Sequence, residues 1–164
     1  MNQPAMSPPR RRRQARLMRM VNVPMRRLLR LPFRTPLSRR LMLLTFTGRK
    51  TGRVYRQPVS YAPDGDTLLT PAGGRWKLNL HEGEPTRVRL RGRDVLARPE
   101  FIRDADQVER LLRRMTASNP RAASFIPVIG RDGQIDRGKL QAAIDYGFSI
   151  IRWHLDEAPS RGRS

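Results

Sequence analysis

LMLLTFTGRKTGRVYRQPVSYA, residues 41–62, contains the pattern that decides the fold. Its first seven residues are apolar and β-branched enough to predict a buried strand. Residues 48–52 combine two glycines with basic and polar residues, which predicts a turn. Residues 54–62 alternate between two faces, and Pro58 favours an edge or bulged strand because proline cannot donate to a sheet ladder. The stretch therefore predicts two strands joined by a basic turn, the second at a sheet edge.

Short strand patterns separated by turn residues continue along the chain. Residues 63–66, PDGD, predict a hairpin turn, because proline presets φ and glycine takes the positive-φ position. Residues 86–91 alternate strictly, as expected for a half-buried strand. The remaining strands are predicted at 67–72, 95–102 and 148–155.

Two helices complete the domain. Asp104 is a candidate N-cap for a helix that reaches about Ser118, and a second helix begins near Asp136 and ends at Gly147. We predict an α+β fold: a small, partly open β-barrel of about six mainly antiparallel strands, with flanking helices and a basic N-terminal helix. The predicted segments are a disordered basic tail at 1–13, an amphipathic basic helical segment at 14–40, a barrel domain at 41–156 and a flexible tail at 157–164.

The 164 residues carry a formal net charge of +20, most of it in the first part of the chain. Residues 1–63 hold sixteen of the 34 Lys and Arg residues and no acidic residue. Such a field attracts phosphates, nucleic acid or anionic lipid, although a preference for arginine can also reflect genome base composition. The chain has no cysteine and only two histidines, so neither a disulfide framework nor a metal site is predicted.

The segment at 14–31 places leucine, valine and methionine on one side of a helix and arginine on much of the other. Pro24 should break or kink this helix. Arginines interrupt every apolar run, which argues against a membrane span and a signal peptide. Three interpretations stay open: a helix packed on its own domain, a helix lying on an anionic membrane, or an arm that binds nucleic acid.

Two glycine-containing segments are candidate ligand-binding loops. In TFTGRKTGR, residues 45–53, the glycines let backbone N–H groups approach an oxyanion, and the cations add charge-assisted hydrogen bonds. A solvated turn is the plainer interpretation in a chain so rich in arginine. AGGRWKLNL, residues 72–80, directly follows a strand. Its Trp76 could stack on a planar ring or plug the core.

Four segments, taken in order, resemble one family. TFTGRKTGR, YAPDGD, GGRWKLNL and RVRLRGRDVLARPE are similar to segments of the deazaflavin-dependent nitroreductase and quinone-reductase family. The resemblance runs from residue 41 to about 101 and continues weakly to 155. It implies the split β-barrel flavin-binding fold. It also implies an oxidoreductase that transfers a hydride from reduced coenzyme F-420 to a quinone, a nitro compound or a similar acceptor.

The resemblance further implies which residues contact the coenzyme, an 8-hydroxy-5-deazaflavin with a phosphate and a polyglutamate tail. Relatives often carry a basic residue a few positions after the turn, where this chain has Tyr55 between two arginines that could replace it. The implied contacts to phosphate and tail are Arg49, Lys50, Thr51, Gly52, Arg53 and Arg56. The implied contacts along the rings are Ala72, Gly73, Gly74, Trp76, Lys77 and Asn79.

Other features depart from the family or stay open. Some relatives carry tyrosines on the acceptor side after the first long helix, but MTASNPRAASF has none, so neither the acceptor nor a catalytic residue is predicted. FMN or FAD is the alternative cofactor. Trp153 and His154 are candidate pocket residues, although a core or surface role is plainer for each.

The alternative functions are a non-catalytic barrel that binds flavin, haem or lipid, and nucleic-acid binding through the first 40 residues. The expected location is the cytoplasm, with contact between residues 14–31 and the inner face of the cell membrane. A homodimer is also expected.

Overall fold

The computed structural model describes residues 40–118, 120, 126, 128–130 and 132–156. The two predicted tails, and the predicted N-terminal helical segment except for its last residue, lie outside the described residues. The strands are β1 Leu41–Thr47, β2 Val54–Ser60, β3 Ala62–Asp64, β4 Thr67–Ala72, β5 Thr86–Leu90, β6 Arg93–Ile102 and β7 Ser149–Leu155. The helices are α1 Ala105–Ser118 and α2 Arg137–Asp145, and a short 3₁₀ helix, Arg75–Asn79, follows β4.

These strands form one antiparallel sheet in the order β2-β1-β5-β6-β7-β4-β3. The two edge strands, β2 and β3, are consecutive in the chain and are separated only by Tyr61. A link of one residue cannot span a flat sheet, because neighbouring strands are about 4.8 Å apart. The sheet therefore curls until its edges meet, which agrees with the predicted split barrel.

The strand count corrects the prediction of about six. Residues 54–62 were predicted as one strand, but the chain changes partner at the buried Tyr61. Before it, Ser60 pairs with Leu41 of β1, and after it, Ala62 pairs with Leu69 of β4. The edge position predicted from Pro58 is confirmed.

The predicted N-cap at Asp104 is confirmed, and the second helix begins beside Asp136 as predicted, with Asp136 as its N-cap. The Asp104 carboxylate accepts a hydrogen bond from the Gln107 N–H at 2.9 Å, and that of Asp136 accepts from the Lys139 N–H at 3.0 Å. Gly147, with φ of 94°, follows α2 where the left-handed region suits glycine. Within the described part of the chain, no helix is long and apolar enough to span a membrane.

The apolar side chains divide into two cores. One fills the barrel around the fully buried Trp153, which packs with residues such as Met42 and Val88. The other lies between the sheet and the helices, where Leu112 of α1 and Ile150 of β7 are both fully buried. Alternation along β7 thus serves both cores, because successive side chains of a strand point to opposite faces.

A buried hydrogen bond fixes Trp153 inside the barrel. Its indole N–H donates to the Thr70 hydroxyl at 3.2 Å, and both residues are fully buried. Replacing Thr70 with Val keeps the shape but leaves the indole N–H without that acceptor. We expect the free energy of unfolding to fall by about 1–3 kcal/mol, the cost of an unsatisfied buried donor. Urea denaturation measures it, and Thr47→Val at an exposed strand end is the control. If Thr70→Val and Thr47→Val are equally stable, the hydrogen bond from Trp153 to Thr70 does not stabilise the barrel.

Candidate functional site

A cavity of about 350 Å³ opens between the turn that joins β1 to β2 and the 3₁₀ helix after β4. We call it the turn cavity. Five of the predicted contacts line it: Arg49, Lys50, Thr51, Trp76 and Asn79. The side chains or backbone of six further residues complete the wall: Phe46, Gly48, Tyr55, Gln57, Arg75 and Leu78.

The Asn79 side chain holds the two halves of the turn cavity together. Its amide oxygen accepts a hydrogen bond from the Arg49 backbone N–H at 3.0 Å. Its amide NH₂ donates to the Trp76 carbonyl at 2.9 Å. A side-chain amide carries both an acceptor and donors, so asparagine can make both bonds at once. Asn79 therefore sets the width of the cavity.

One wall of the cavity is aromatic. The rings of Phe46 and Tyr55 lie with centroids 6.0 Å apart and planes 23° apart, and the Tyr55 hydroxyl contacts the Thr51 hydroxyl at 3.2 Å. A Cβ atom at Gly48 would come within 2.5 Å of the Tyr55 ring. Glycine at this position therefore allows the ring to lie directly on the turn.

The turn cavity carries uncompensated positive charge. None of the described residues that line it is acidic. Three cations line it, Arg49, Lys50 and Arg75, and none of them forms an ion pair with another described residue. Such a cluster attracts anions, and the guanidinium groups match phosphate or carboxylate with two parallel hydrogen bonds.

The backbone of the turn is mostly occupied by its own hydrogen bonds. The Gly48 N–H donates to the Arg53 carbonyl, and the Gly48 carbonyl accepts from the Gly52 N–H, both at 2.8 Å. Gly52 has a φ of 65°, in the left-handed region that favours glycine. Within residues 48–53, the Lys50 N–H is the amide for which the structure records no acceptor. An anion here would thus be held mainly by side chains.

A family model described as "F420H(2)-dependent quinone reductase" matches residues 11–132, which is most of the chain. The chain belongs to this family. It is accordingly an oxidoreductase that depends on coenzyme F-420. This confirms the resemblance found in the sequence.

Solved structures with a similar fold have low sequence identity. A structure titled "F420-H2 Dependent Reductase" is 14% identical, covers 70% of this chain and 94% of its own, and has a TM-score of 0.46. An FAD-binding protein from Mesorhizobium loti is 13% identical, covers 72% of this chain and 82% of its own, and has a TM-score of 0.43. At these values the similarities do not assign a cofactor or a substrate. No curated protein matches the chain.

Several residues predicted for the reductase site lie outside the turn cavity. Arg56 is on the face of β2 opposite to the cavity-lining Tyr55 and Gln57, because side chains alternate along a strand. Arg53 is exposed at the base of the turn. The other predicted residues that do not line the cavity are Gly52, Ala72, Gly73, Gly74 and Lys77.

Lys77 ties the 3₁₀ helix to the start of β7. Its ammonium group donates to the carbonyls of Ala72 (2.7 Å) and Gly147, and it lies 3.4 Å from the Ser149 hydroxyl. Burial, and then the positive charge of Arg103, lower the pKa of Lys77 below its usual value. In the structure this lysine therefore holds the loop in place by hydrogen bonds and does not line the turn cavity.

The other candidate pocket residues also lie outside the turn cavity. Trp153 is in the barrel core, and the exposed His154 pairs with Glu100 at 2.7 Å. Conversely, Tyr55 and Gln57 line the cavity but were not predicted as contacts, although the alternation of residues 54–62 puts them on one face of the strand. Arg75 lines the turn cavity because it lies in the 3₁₀ helix, which directs its side chain toward the cavity.

Removing the Asn79 bridge should destabilise the enzyme. Asn79→Ala deletes both hydrogen bonds, and at roughly 0.5–1.5 kcal/mol each the free energy of unfolding should fall by about 1–3 kcal/mol. Urea denaturation measures the change. Gln141→Ala is the control, because among the described residues that amide bonds only to Asp145, four positions later on the exposed side of α2. If Asn79→Ala is no less stable than the control, Asn79 does not join the two loops.

Proposed function

We propose that the chain binds coenzyme F-420 in the turn cavity and reduces a quinone. The observation that carries this proposal is the group of three unpaired cations beside aromatic rings in a cavity whose described lining has no acid. The coenzyme combines a planar ring system with a phosphate and a polyglutamate tail. It therefore needs both cations and flat apolar surfaces, which this cavity offers together.

The basic turn is the proposed site for the phosphate and the first carboxylates. Arg49 would bind an anionic group with two parallel hydrogen bonds, and Lys50 would add its ammonium group and its free backbone N–H. The Thr51 hydroxyl also lines this part of the cavity. Arg53 and Arg56 lie beyond the cavity, where they suit the outer part of a long anionic tail.

The proposed ring site is formed by Phe46, Tyr55 and Trp76. A Cβ atom at Gly74 would come within 2.7 Å of the Trp76 indole, so glycine lets Trp76 fold back against the chain. Gly74 and Lys77 thus support the proposed site by holding the loop, without lining the cavity themselves. The cavity volume lies within the usual range of about 300–1,000 Å³ for small-molecule sites.

The protein's contribution to the reaction is binding and orientation. When bound, the reduced deazaflavin supplies the hydride. The turn fixes one end of the coenzyme by charge, and the aromatic wall fixes the plane of the other end. Holding both reactants in a near-reactive geometry removes an entropic cost from the barrier, so this arrangement needs no acid–base dyad in the wall.

The charge of Lys50 should control coenzyme affinity. We expect Lys50→Ala to weaken coenzyme F-420 binding by about 10-fold or more, because a hydrogen bond to a charged group contributes about 1.5–3 kcal/mol. Fluorescence titration of the purified protein measures this, with FMN titrated in parallel. Lys139→Ala is the matched control, because Lys139 lies on α2, outside the lining of the turn cavity, and pairs with Asp136.

Either of two results would overturn this assignment. Unchanged coenzyme affinity in Lys50→Ala would remove the turn from the site, and binding of FMN alone would change the cofactor. Turnover with a naphthoquinone and with a nitroaromatic compound, each under saturating reduced coenzyme, then decides which acceptor class the enzyme reduces.

We further propose that residues 14–31 bring the enzyme to the inner face of an anionic membrane, where lipid-soluble quinones reside. The support is the sequence pattern of arginines opposite apolar residues.

The proposed working form is a homodimer.

The full chain should float with vesicles that contain phosphatidylglycerol but not with pure phosphatidylcholine. Deletion of residues 1–31 should abolish flotation, and salt should weaken it by screening the charges. Flotation that is unaffected by the deletion would contradict the proposed membrane segment.

A further inference from the structure

A second cavity, of about 370 Å³, lies on the side of the 3₁₀ helix that faces β6 and β7. Its wall includes Lys77, Leu80, Phe101, Arg103 and Ser149. The two cavities share Leu78 but no cation. The second cavity therefore adjoins the turn cavity but has its own charges.

Two cations in this wall lack a negative partner. In the part of the chain that the structure describes, neither Lys77 nor Arg103 forms an ion pair. The Lys77 ammonium group faces only neutral acceptors, two carbonyls and the Ser149 hydroxyl. Glu82 is the one acidic residue in the described lining; it keeps its negative charge while its carboxylate accepts from the Phe101 N–H at 3.0 Å, so the two cations exceed the acid by one charge. The cavity therefore keeps a positive field.

The rest of the wall is apolar and pre-shaped. Leu80 is buried, and the Arg103 guanidinium carbon lies 5.0 Å from the centroid of the half-buried Phe101 ring, a cation–π distance that orients the side chain. Ser149 is only 1% exposed, and its hydroxyl oxygen accepts from Lys77, which leaves the hydroxyl hydrogen to donate. A charged rim, an apolar wall and a buried donor thus meet in one cavity.

We propose that the second cavity binds a small organic carboxylate with a flat apolar body, independently of the coenzyme. The planar guanidinium of Arg103 matches a carboxylate with two hydrogen bonds. Lys77 adds positive charge at short range, and Leu80 with Phe101 provides the surface that an aromatic body covers. A bare inorganic anion would leave that apolar surface in contact with water and so would bind less well.

The test uses 2-naphthoate as the probe and the full-length protein at constant ionic strength. Isothermal titration calorimetry should show saturable binding with one site per chain. Arg103→Gln should weaken it by about 10-fold or more, the scale expected for a charge-assisted hydrogen bond. Arg110→Gln, an exposed arginine on α1 with no described ion pair and in neither cavity, should leave it unchanged.

Two further probes separate recognition of an aromatic carboxylate from general attraction to an apolar or a charged surface. Naphthalene-2-carboxamide lacks the charge and acetate lacks the apolar body, so each should bind at least about 10-fold more weakly than 2-naphthoate. Lys50→Ala should keep its affinity for 2-naphthoate, and Arg103→Gln should keep its affinity for coenzyme F-420. Circular dichroism checks that each variant is folded.

Any one of five results would overturn the proposal. Four of them are no saturable binding of 2-naphthoate, affinity that is unchanged in Arg103→Gln, affinity that is lost in Lys50→Ala, and acetate binding as tight as that of 2-naphthoate. Loss of coenzyme affinity in Arg103→Gln would also overturn it, because the second cavity would then belong to the coenzyme site. None of these results bears on whether Lys50 binds the coenzyme.

Discussion

The single-residue link at Tyr61 constrains the whole barrel. Because β2 and β3 are the opposite edges of one sheet and only Tyr61 separates them, the sheet must curl until the edges are adjacent. Curling brings the turn after β1 to the same end of the barrel as the 3₁₀ helix after β4. Asn79 then reaches the Arg49 amide across thirty positions of sequence. The turn cavity is thus a consequence of sheet closure.

Charge compensation distinguishes the arginines of the helices and later strands from those of the basic turn. Arg137 bonds to Asp106 and Glu109 at 2.8 and 2.7 Å, and Arg98 pairs with Asp156 at 3.0 Å. These pairs lie in the later part of the chain, where the acidic residues occur. The basic turn precedes the first acid in the sequence, so only a tertiary contact could neutralise it, and the described fold brings none there. This uncompensated charge is what an anionic coenzyme requires.

Local physics explains which predictions were confirmed. Apolar, β-branched composition and the flanking turns identified β1 and β4 with their observed bounds. The carboxylates of Asp104 and Asp136 cap the predicted helices because capping needs only residues three positions away. The break at Tyr61 was missed, because a change of pairing partner depends on strands that are distant in sequence. The pattern of residues 54–62 is the same for one strand as for two.

The same distinction holds for the candidate site. The sequence by itself determined most strand positions, the two helices after β6, the excess of positive charge before the first acid and, through its ordered motifs, the reductase family. Only the tertiary structure decided which members of those motifs share a cavity. It directs Lys77 away from the turn, to carbonyls that include Gly147, and it turns Arg75 and Tyr55 toward the turn. The physical reason is that side-chain direction depends on the helix or strand that carries the residue and on the closure of the barrel, and neither is a property of the motif alone.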